Sequence, residues 1–268
     1  MIVEVLGNVQ DGGVPHLGCS CEVCENARND PCDEKFVSSL LLRKDGEEDS
    51  VRYLFDATPD IRHQIKGDYL DGIFVSHGHM GHILGLMYLG TESLDASNVP
   101  VYCAEDMEDF LMQNDPYRLL VDRNQIEIVG VKDGRETDIL GGKVEPLTVD
   151  HSHVNTETLG FMIRGEEKDL FYISDFDNWT NDLLDAIEEA DIAIIDGTFW
   201  AEDEIDRYDE VPHPTIPGSM EKTSEFDTEI YFTHLNHTNP ALREDSEERK
   251  EVEEKGYGVV EPGMEFEI

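Results

Sequence analysis

Short apolar runs recur along the whole chain, separated by turn-forming residues. MIVEVL, SSLLLR, VRYLF, GIFVS, PVYCA, KVEPLTV, TLGFMI, LFYIS, DIAIID and EIYFT are rich in β-branched and aromatic residues. Runs of about 4–8 such residues bounded by turn signals read as strands. Four segments between them predict helices: HILGLMYLGTESLDA, AEDMEDFLMQN, NWTNDLLDAIEEA and NPALREDSEERKEVEEK. In the third, Asn178 is placed to cap the helix, with Asp182 in its opening turns. The fourth is mostly charged, so its outer face is solvated. Strands with interspersed helices, and no internal repeat or low-complexity linker, predict one layered α/β domain over residues 1–268.

Against this pattern the polar residues fall at telling places. His77 follows GIFVS, Asp175 follows LFYIS, Asp196 ends DIAIID, His234 follows EIYFT, and His151 comes soon after KVEPLTV. Strand ends held by a rigid sheet are where α/β folds assemble their sites. The stretch SHGHMGH gathers His77, His79 and His82 within six residues. On a tight loop leading into a helix, that spacing turns three imidazoles towards one centre. Histidine is the commonest metal ligand, and zinc–nitrogen distances of about 2.0–2.1 Å require such convergence.

Composition narrows the setting. Of 268 residues, 39% are hydrophobic, enough for a core, while 61 acidic residues against 20 basic ones leave a formal net charge of −41. The acids recur throughout, as in GEEDS, AEDMEDF and AEDEIDRYDE, rather than forming a tail. Such self-repulsion suits poorly to dilute buffer, whereas at molar salt the screening length falls to about 3 Å. A salt-rich cytoplasm is therefore the expected setting, with an acidic protein that meets a basic partner as the alternative. No basic patch is present to bind a phosphate backbone, which disfavours nucleic acid. MIVEVLGNVQDGG has neither a basic start nor a long apolar run, and no segment approaches the roughly 18 apolar residues of a membrane span. A small-molecule substrate and a cytoplasmic location are expected, and a homo-oligomer is left open. Three of five cysteines, Cys19, Cys21 and Cys24, lie close together. In a reducing compartment that crowding points to metal, with three thiolates one short of a closed tetrahedral site. Cys32 and Cys103 lack neighbours of this kind, and Cys103 is expected in the core.

His77-x-His79-x-Gly81-His82 resembles the His-x-His-x-Asp-His signature of the metallo-β-lactamase-fold hydrolases. Further motifs follow in order: LFDATPD at Asp56, VDHSHVNTETLGF at His151, LFYISDFDNW at Asp175 and YFTHLNHTNP at His234. The resemblance spans nearly the whole chain and implies that family's four-layer αβ/βα sandwich. VLGNVQDGGVPHLGCSCEVCENAR is similar to the N-terminus of two branches, the phosphonate-pathway cyclic-phosphate phosphodiesterases and the pyrroloquinoline-quinone biosynthesis B proteins. VDHSHVNTETLGF, YISDFDNW, IDGTFW and VPHPTIPGSM lean towards the second branch, and the histidine cluster towards the first.

The resemblance implies that His77, His79 and His151 hold one metal. The residue at 81, His82 and His234 would hold another, with Asp175 bridging and orienting. Gly81 has no side chain to offer, so the second site keeps His82, Asp175 and His234 and is expected to be weakened or reshaped. One or two Zn2+ or Mn2+ ions are implied, or Fe2+ in the alternative. Hydroxide generated at the metals would be the nucleophile on a small phosphodiester or other ester. His153 and His213 are candidates for proton transfer or substrate contact. Asp56, Asp177 and Asp196 are candidates for orienting the histidines. The resemblance also completes the cysteine site, at about residues 7–35, with His237, as a structural zinc stapling the N-terminal loop. The rival functions are an iron-dependent oxygenase of the quinone-biosynthesis type and a non-catalytic metal- or ligand-binding protein. Retention of His82 and His234 speaks against the last.

Overall fold

The computed structural model describes residues 1–44, 51–67, 69–139, 141–151 and 156–268. Two seven-stranded sheets carry the fold. The first is formed by β1 (Ile2–Gly7), β2 (Ser39–Lys44), β3 (Val51–Phe55), β4 (Gly72–Phe74), β5 (Val99–Cys103) and β6 (Ile126–Gly130). The second is formed by β7 (Thr137–Ile139), β8 (Gly142–Val149), β9 (Thr158–Arg164), β10 (Asp169–Tyr172), β11 (Ile192–Asp196), β12 (Glu229–Thr233) and β13 (Gly258–Val259). The last strand, β14 (Glu265–Glu267), returns to the first sheet beside β1. Each sheet is half antiparallel and half parallel: β3 to β6 run parallel in one, and β10 to β13 in the other.

The sheets pack face to face because their inner faces are apolar. Phe55 and Phe74 from the first meet Phe161 from the second with ring centroids 5.5 and 5.6 Å apart, and Tyr172 closes the cluster on Phe55. Helices cover the outer faces: α1 (Glu22–Asn29), α2 (Ile61–Gln64), α3 (Met80–Ile83), α4 (Glu105–Gln113), α5 (Asp115–Asp122), α6 (Asn181–Glu189), α7 (Ile216–Lys222) and α8 (Glu247–Glu254). Met107 and Leu111 of α4 and Leu120 of α5 join the core of the first sheet. Leu183 and Ile187 of α6, Met220 of α7 and Val252 of α8 join a second core behind the other sheet. Helix, sheet, sheet, helix is the expected four-layer sandwich. Among the described residues no helix is long and apolar enough to cross a membrane.

Three local expectations are corrected. The segment after the histidines is not one long helix: α3 has four residues and passes into a 3-10 turn over Leu84–Leu89. Gly85 packs so tightly that a Cβ there would lie 2.4 Å from the Thr58 carbonyl, and this close approach sets the path of the chain. Thr180, not Asn178, caps α6, its hydroxyl accepting from the Leu183 N–H at 3.1 Å, while the Asn178 amide donates to Asp150. The final charged segment is not one helix: a 3-10 turn over Pro240–Leu242 is followed by α8, where the Ser246 hydroxyl accepts from the Arg249 N–H.

Candidate metal centre

The carboxyl ends of β3, β4, β10, β11 and β12 meet along one edge of the sandwich, where ligands of open α/β sheets bind. Here the structure brings together His77, His79, His82, His151, Asp175, His213 and His234. His153 lies outside the described residues.

The first nest forms around His79. Its Nδ1 is 3.0 Å from Nε2 of His77 and 3.4 Å from Nε2 of His151. Asp175 completes the group, with Oδ1 3.9 Å from Nε2 of His151. Each Nε2 faces inwards because Nδ1 is engaged elsewhere: Ser76 Oγ lies 2.9 Å from that of His77, and Asp177 Oδ1 2.8 Å from that of His151. Partners of this kind fix ring orientation and tautomer.

The second nest lies on the other side of Asp175. Nε2 of His82 is 3.4 Å from Asp175 Oδ2, and Nε2 of His234 is 3.4 Å from Asp175 Oδ1. Asp56 Oδ2 holds Nδ1 of His82 at 2.8 Å, and Thr198 Oγ1 lies 3.0 Å from Nδ1 of His234. His234 adopts φ 59°, a left-handed turn at the end of β12 in which its own N–H donates to Ser38. Asp11, from the turn after β1, places Oδ1 3.3 Å from Nε2 of His82. The sequence alone does not single out Asp11, because QDGG reads as a turn and nothing local ties it to the distant histidines.

These groups fit a metal. Among the described residues, Oδ1 of Asp11, Nε2 of His82, Oδ2 of Asp175 and Nε2 of His234 are buried without a hydrogen-bond partner. Buried polar atoms are normally paired, so four orphans gathered about the His82 and His234 imidazoles call for a cation. Ligands at zinc distance from a tetrahedral centre stand about 3.3–3.4 Å apart, close to the separations seen. The field agrees. Burial alone would raise Asp175, but the imidazoles of His234, His82, His77 and His151 hold it well below the usual carboxylate range. Burial opposes charge on His82, yet Asp56 and Asp175 lift it well above an ordinary histidine.

His213 sits beside both nests, its Nδ1 2.6 Å from Asp196 Oδ2. Burial lowers its basicity, but Asp196 outweighs this and brings it up to about 9. An open cleft of about 450 Å³ leads to the nests, walled by Gln10, Arg207, Glu210, Val211 and Pro212. The sequence does not single out Arg207 either, since one arginine in an acidic loop carries no pattern.

Away from the cleft, Cys19, Cys21, Cys24 and His237 converge as a separate group. Nδ1 of His237 is 3.6 Å from Sγ of both Cys19 and Cys21. Sulfur and nitrogen ligands of one tetrahedral zinc stand about 3.5–3.6 Å apart, so this set fits the ion. The N–H of His16 donates to Cys24 Sγ and that of Cys21 to Cys19 Sγ, as suits thiolate acceptors. Cys32 is exposed and Cys103 is buried in the core. Cys24→Ser is expected to lose one zinc per chain and ~2 kcal/mol of stability, a drop of about 4–8 °C in melting temperature. Metal analysis beside calorimetry checks this, and an unchanged zinc content would contradict the site.

Comparison with known proteins gives one family match, the Beta-lactamase superfamily domain, over residues 51–237. The chain is similar to Coenzyme PQQ synthesis protein B from Ruegeria pomeroyi, 26% identical over 99% of both chains. To the protein of that name from Methylorubrum extorquens it is 28% identical over the full length of both. Among solved structures, Zn(2+)-bound PqqB from Methylobacterium extorquens superposes with a TM-score of 0.85 at 25% identity, covering 100% of both chains. A diphosphatase from the PhnP family superposes with a TM-score of 0.75 at 26% identity, over 99% of this chain and 96% of the other.

Proposed function

This chain belongs to the β-lactamase superfamily, and from that premise we propose that it is a metal-dependent hydrolase of a small phosphodiester or related ester. The observation that carries the reading is the shared carboxylate: Asp175 faces His151 of one nest and His82 and His234 of the other. When bound, metals supply Lewis-acid polarisation of a phosphoryl oxygen and water acidified to a pKa of about 7. The chain's own residues do the rest. Asp175 keeps the two nests in register. Ser76, Asp177, Asp56 and Thr198 hold the four Nδ1 atoms, so that Nε2 of His77, His151, His82 and His234 stays available. His213 lines the cleft with Nδ1 committed to Asp196, leaving its other nitrogen to hand a proton to a leaving oxygen. Zinc in the PqqB relative supports a metal here, and the diphosphatase relative supports phosphoryl chemistry. The charge of −41 suits work in concentrated salt.

Turnover of bis(4-nitrophenyl) phosphate under argon in molar KCl, abolished by chelator and restored by zinc or manganese, is the expected result. No turnover with any divalent ion would overturn the reading. Within it, Arg207 offers the cleft a cation for the substrate's charge. Arg207→Ala is expected to raise KM roughly fivefold, about 1 kcal/mol for an exposed contact, with little change in kcat. Steady-state kinetics of the two proteins checks this, and an unchanged KM would remove Arg207 from substrate binding.

A second reading, an iron-dependent oxygenase, draws on the end-to-end similarity to PQQ synthesis proteins. His82, His234 and Asp175 are two histidines and a carboxylate, a donor set that suits non-haem iron. Oxygen uptake proportional to iron content, without anaerobic ester cleavage, would select it.

A further inference from the structure

We propose that Asp11 supplies the second nest with the carboxylate ligand that Gly81 lacks. The assignment rests on the two-nest reading above. It starts from a steric exclusion. A Cβ built on Gly81 would lie 1.9 Å from Asp11 Oδ1 and 2.9 Å from Asp11 Cα. The space that a side chain at position 81 would fill is therefore the space that the Asp11 carboxylate fills, and the two cannot coexist as placed. The glycine is the vacancy into which an acid from another part of the chain enters.

Position and chemistry agree with that exchange. Asp11 Oδ1 is buried with no hydrogen-bond partner and faces Nε2 of His82 at 3.3 Å. Asp11, His82 and His234 each present one donor atom, all within 4.8 Å of one another. The turn carrying Asp11 is anchored to the strand end that carries His234. The Leu235 N–H donates to the Asn8 carbonyl at 2.9 Å, and the Gln10 N–H donates to the Leu235 carbonyl at 3.0 Å. The Gly13 N–H closes the turn on the Gln10 carbonyl. Downstream, Cys19, Cys21 and Cys24 gather with His237, three residues beyond His234. The loop is thus pinned on both sides of Asp11 to the segment that holds the ligand histidine. With Asp11 the group has two imidazoles and one carboxylate, and Asp175 stands 3.4 Å from Nε2 of each imidazole as a second carboxylate within reach of Zn2+ or Mn2+.

The test is metal binding, independent of turnover. Metal-free protein in molar KCl is titrated with Zn2+ in competition with a chromophoric chelator, for wild type, Asp11→Ala, and Asp11→Gly combined with Gly81→Asp. Loss of a group that merely orients a ligand costs about 10–100-fold in affinity, so loss of a ligand should cost at least about 100-fold. The expectation is one ion weakened by that factor in Asp11→Ala, with the cysteine site and the His77, His79 and His151 nest unchanged. The double variant should regain at least about tenfold, once the backbone of the turn at position 11 shifts slightly to admit the new side chain. Melting curves of the metal-free forms establish that each variant is folded. If wild type and Asp11→Ala both bind two active-site ions with affinities within about twofold, Asp11 is not a ligand, while the two-metal reading survives. If wild type binds a single active-site ion that Asp11→Ala loses, Asp11 stands and the two-metal reading falls. If Asp11→Ala keeps that single ion, both are wrong.

Discussion

Asp175→Asn is expected to reduce turnover by at least about 10³-fold and to weaken both active-site ions together. The side chain is buried, and the imidazoles of His234, His82, His77 and His151 surround it. An amide keeps its volume and removes its charge. The first nest then loses its anionic donor and the second loses one of its two carboxylates, while the staple formed by the cysteines is untouched. Metal stabilisation of a phosphoryl transition state is worth several kcal/mol, and every 1.36 kcal/mol is tenfold in rate. Measuring kcat beside metal content separates lost metal from misplaced metal. Loss of only one ion would show that Asp175 does not serve both nests.

Asp56→Ala carries the largest expected effect on folding. Asp56 is fully buried, at φ 65° after β3. Its Oδ1 accepts from the Ser76 N–H at 2.8 Å, and Oδ2 accepts from the Ser76 hydroxyl at 3.0 Å and lies 2.8 Å from Nδ1 of His82. Alanine strands those donors in the core and puts an unfavourable residue in the left-handed region. Breaking a buried pair of this kind costs about 3–5 kcal/mol, or about 6–20 °C in melting temperature for a chain of this size. Asp56→Asn isolates the chemical part. It tolerates the backbone angle, but its amide can donate to Nδ1 of His82, leaving the proton on Nε2, where the metal must bind. The second ion should weaken about 10–100-fold with a much smaller loss of stability. Calorimetry and zinc titration of both variants check the pair, and equal metal affinity in Asp56→Asn and wild type would contradict the tautomer argument.

Among the candidate ligands, His77, His151, His234 and Asp175 were legible because each follows an apolar strand run, and strand ends point at a common edge, whereas His79 and His82 were legible by their spacing from His77. Asp56 was legible from the resemblance of LFDATPD to the family's motif, though not which histidine it holds. Short strands were not legible: β7, β13 and β14 have two or three residues each, too few to show a period. The segment from His82 reads as a helix by its leucines, yet Gly85 must approach the backbone of Ala57 and Thr58, a tertiary demand that periodicity does not carry. Asp11 is the deepest omission. Local sequence shows only a gap at Gly81, and the group that occupies it becomes visible when residues 8–10 pair with the backbone beyond His234.

The most direct measurement of the central claim is metal content per chain by plasma mass spectrometry, on wild-type protein purified in high salt without chelator or nickel affinity. Two nests joined by Asp175 and a separate staple predict one zinc plus two further zinc or manganese ions. A single zinc, or one zinc with about one iron, would contradict the binuclear hydrolase.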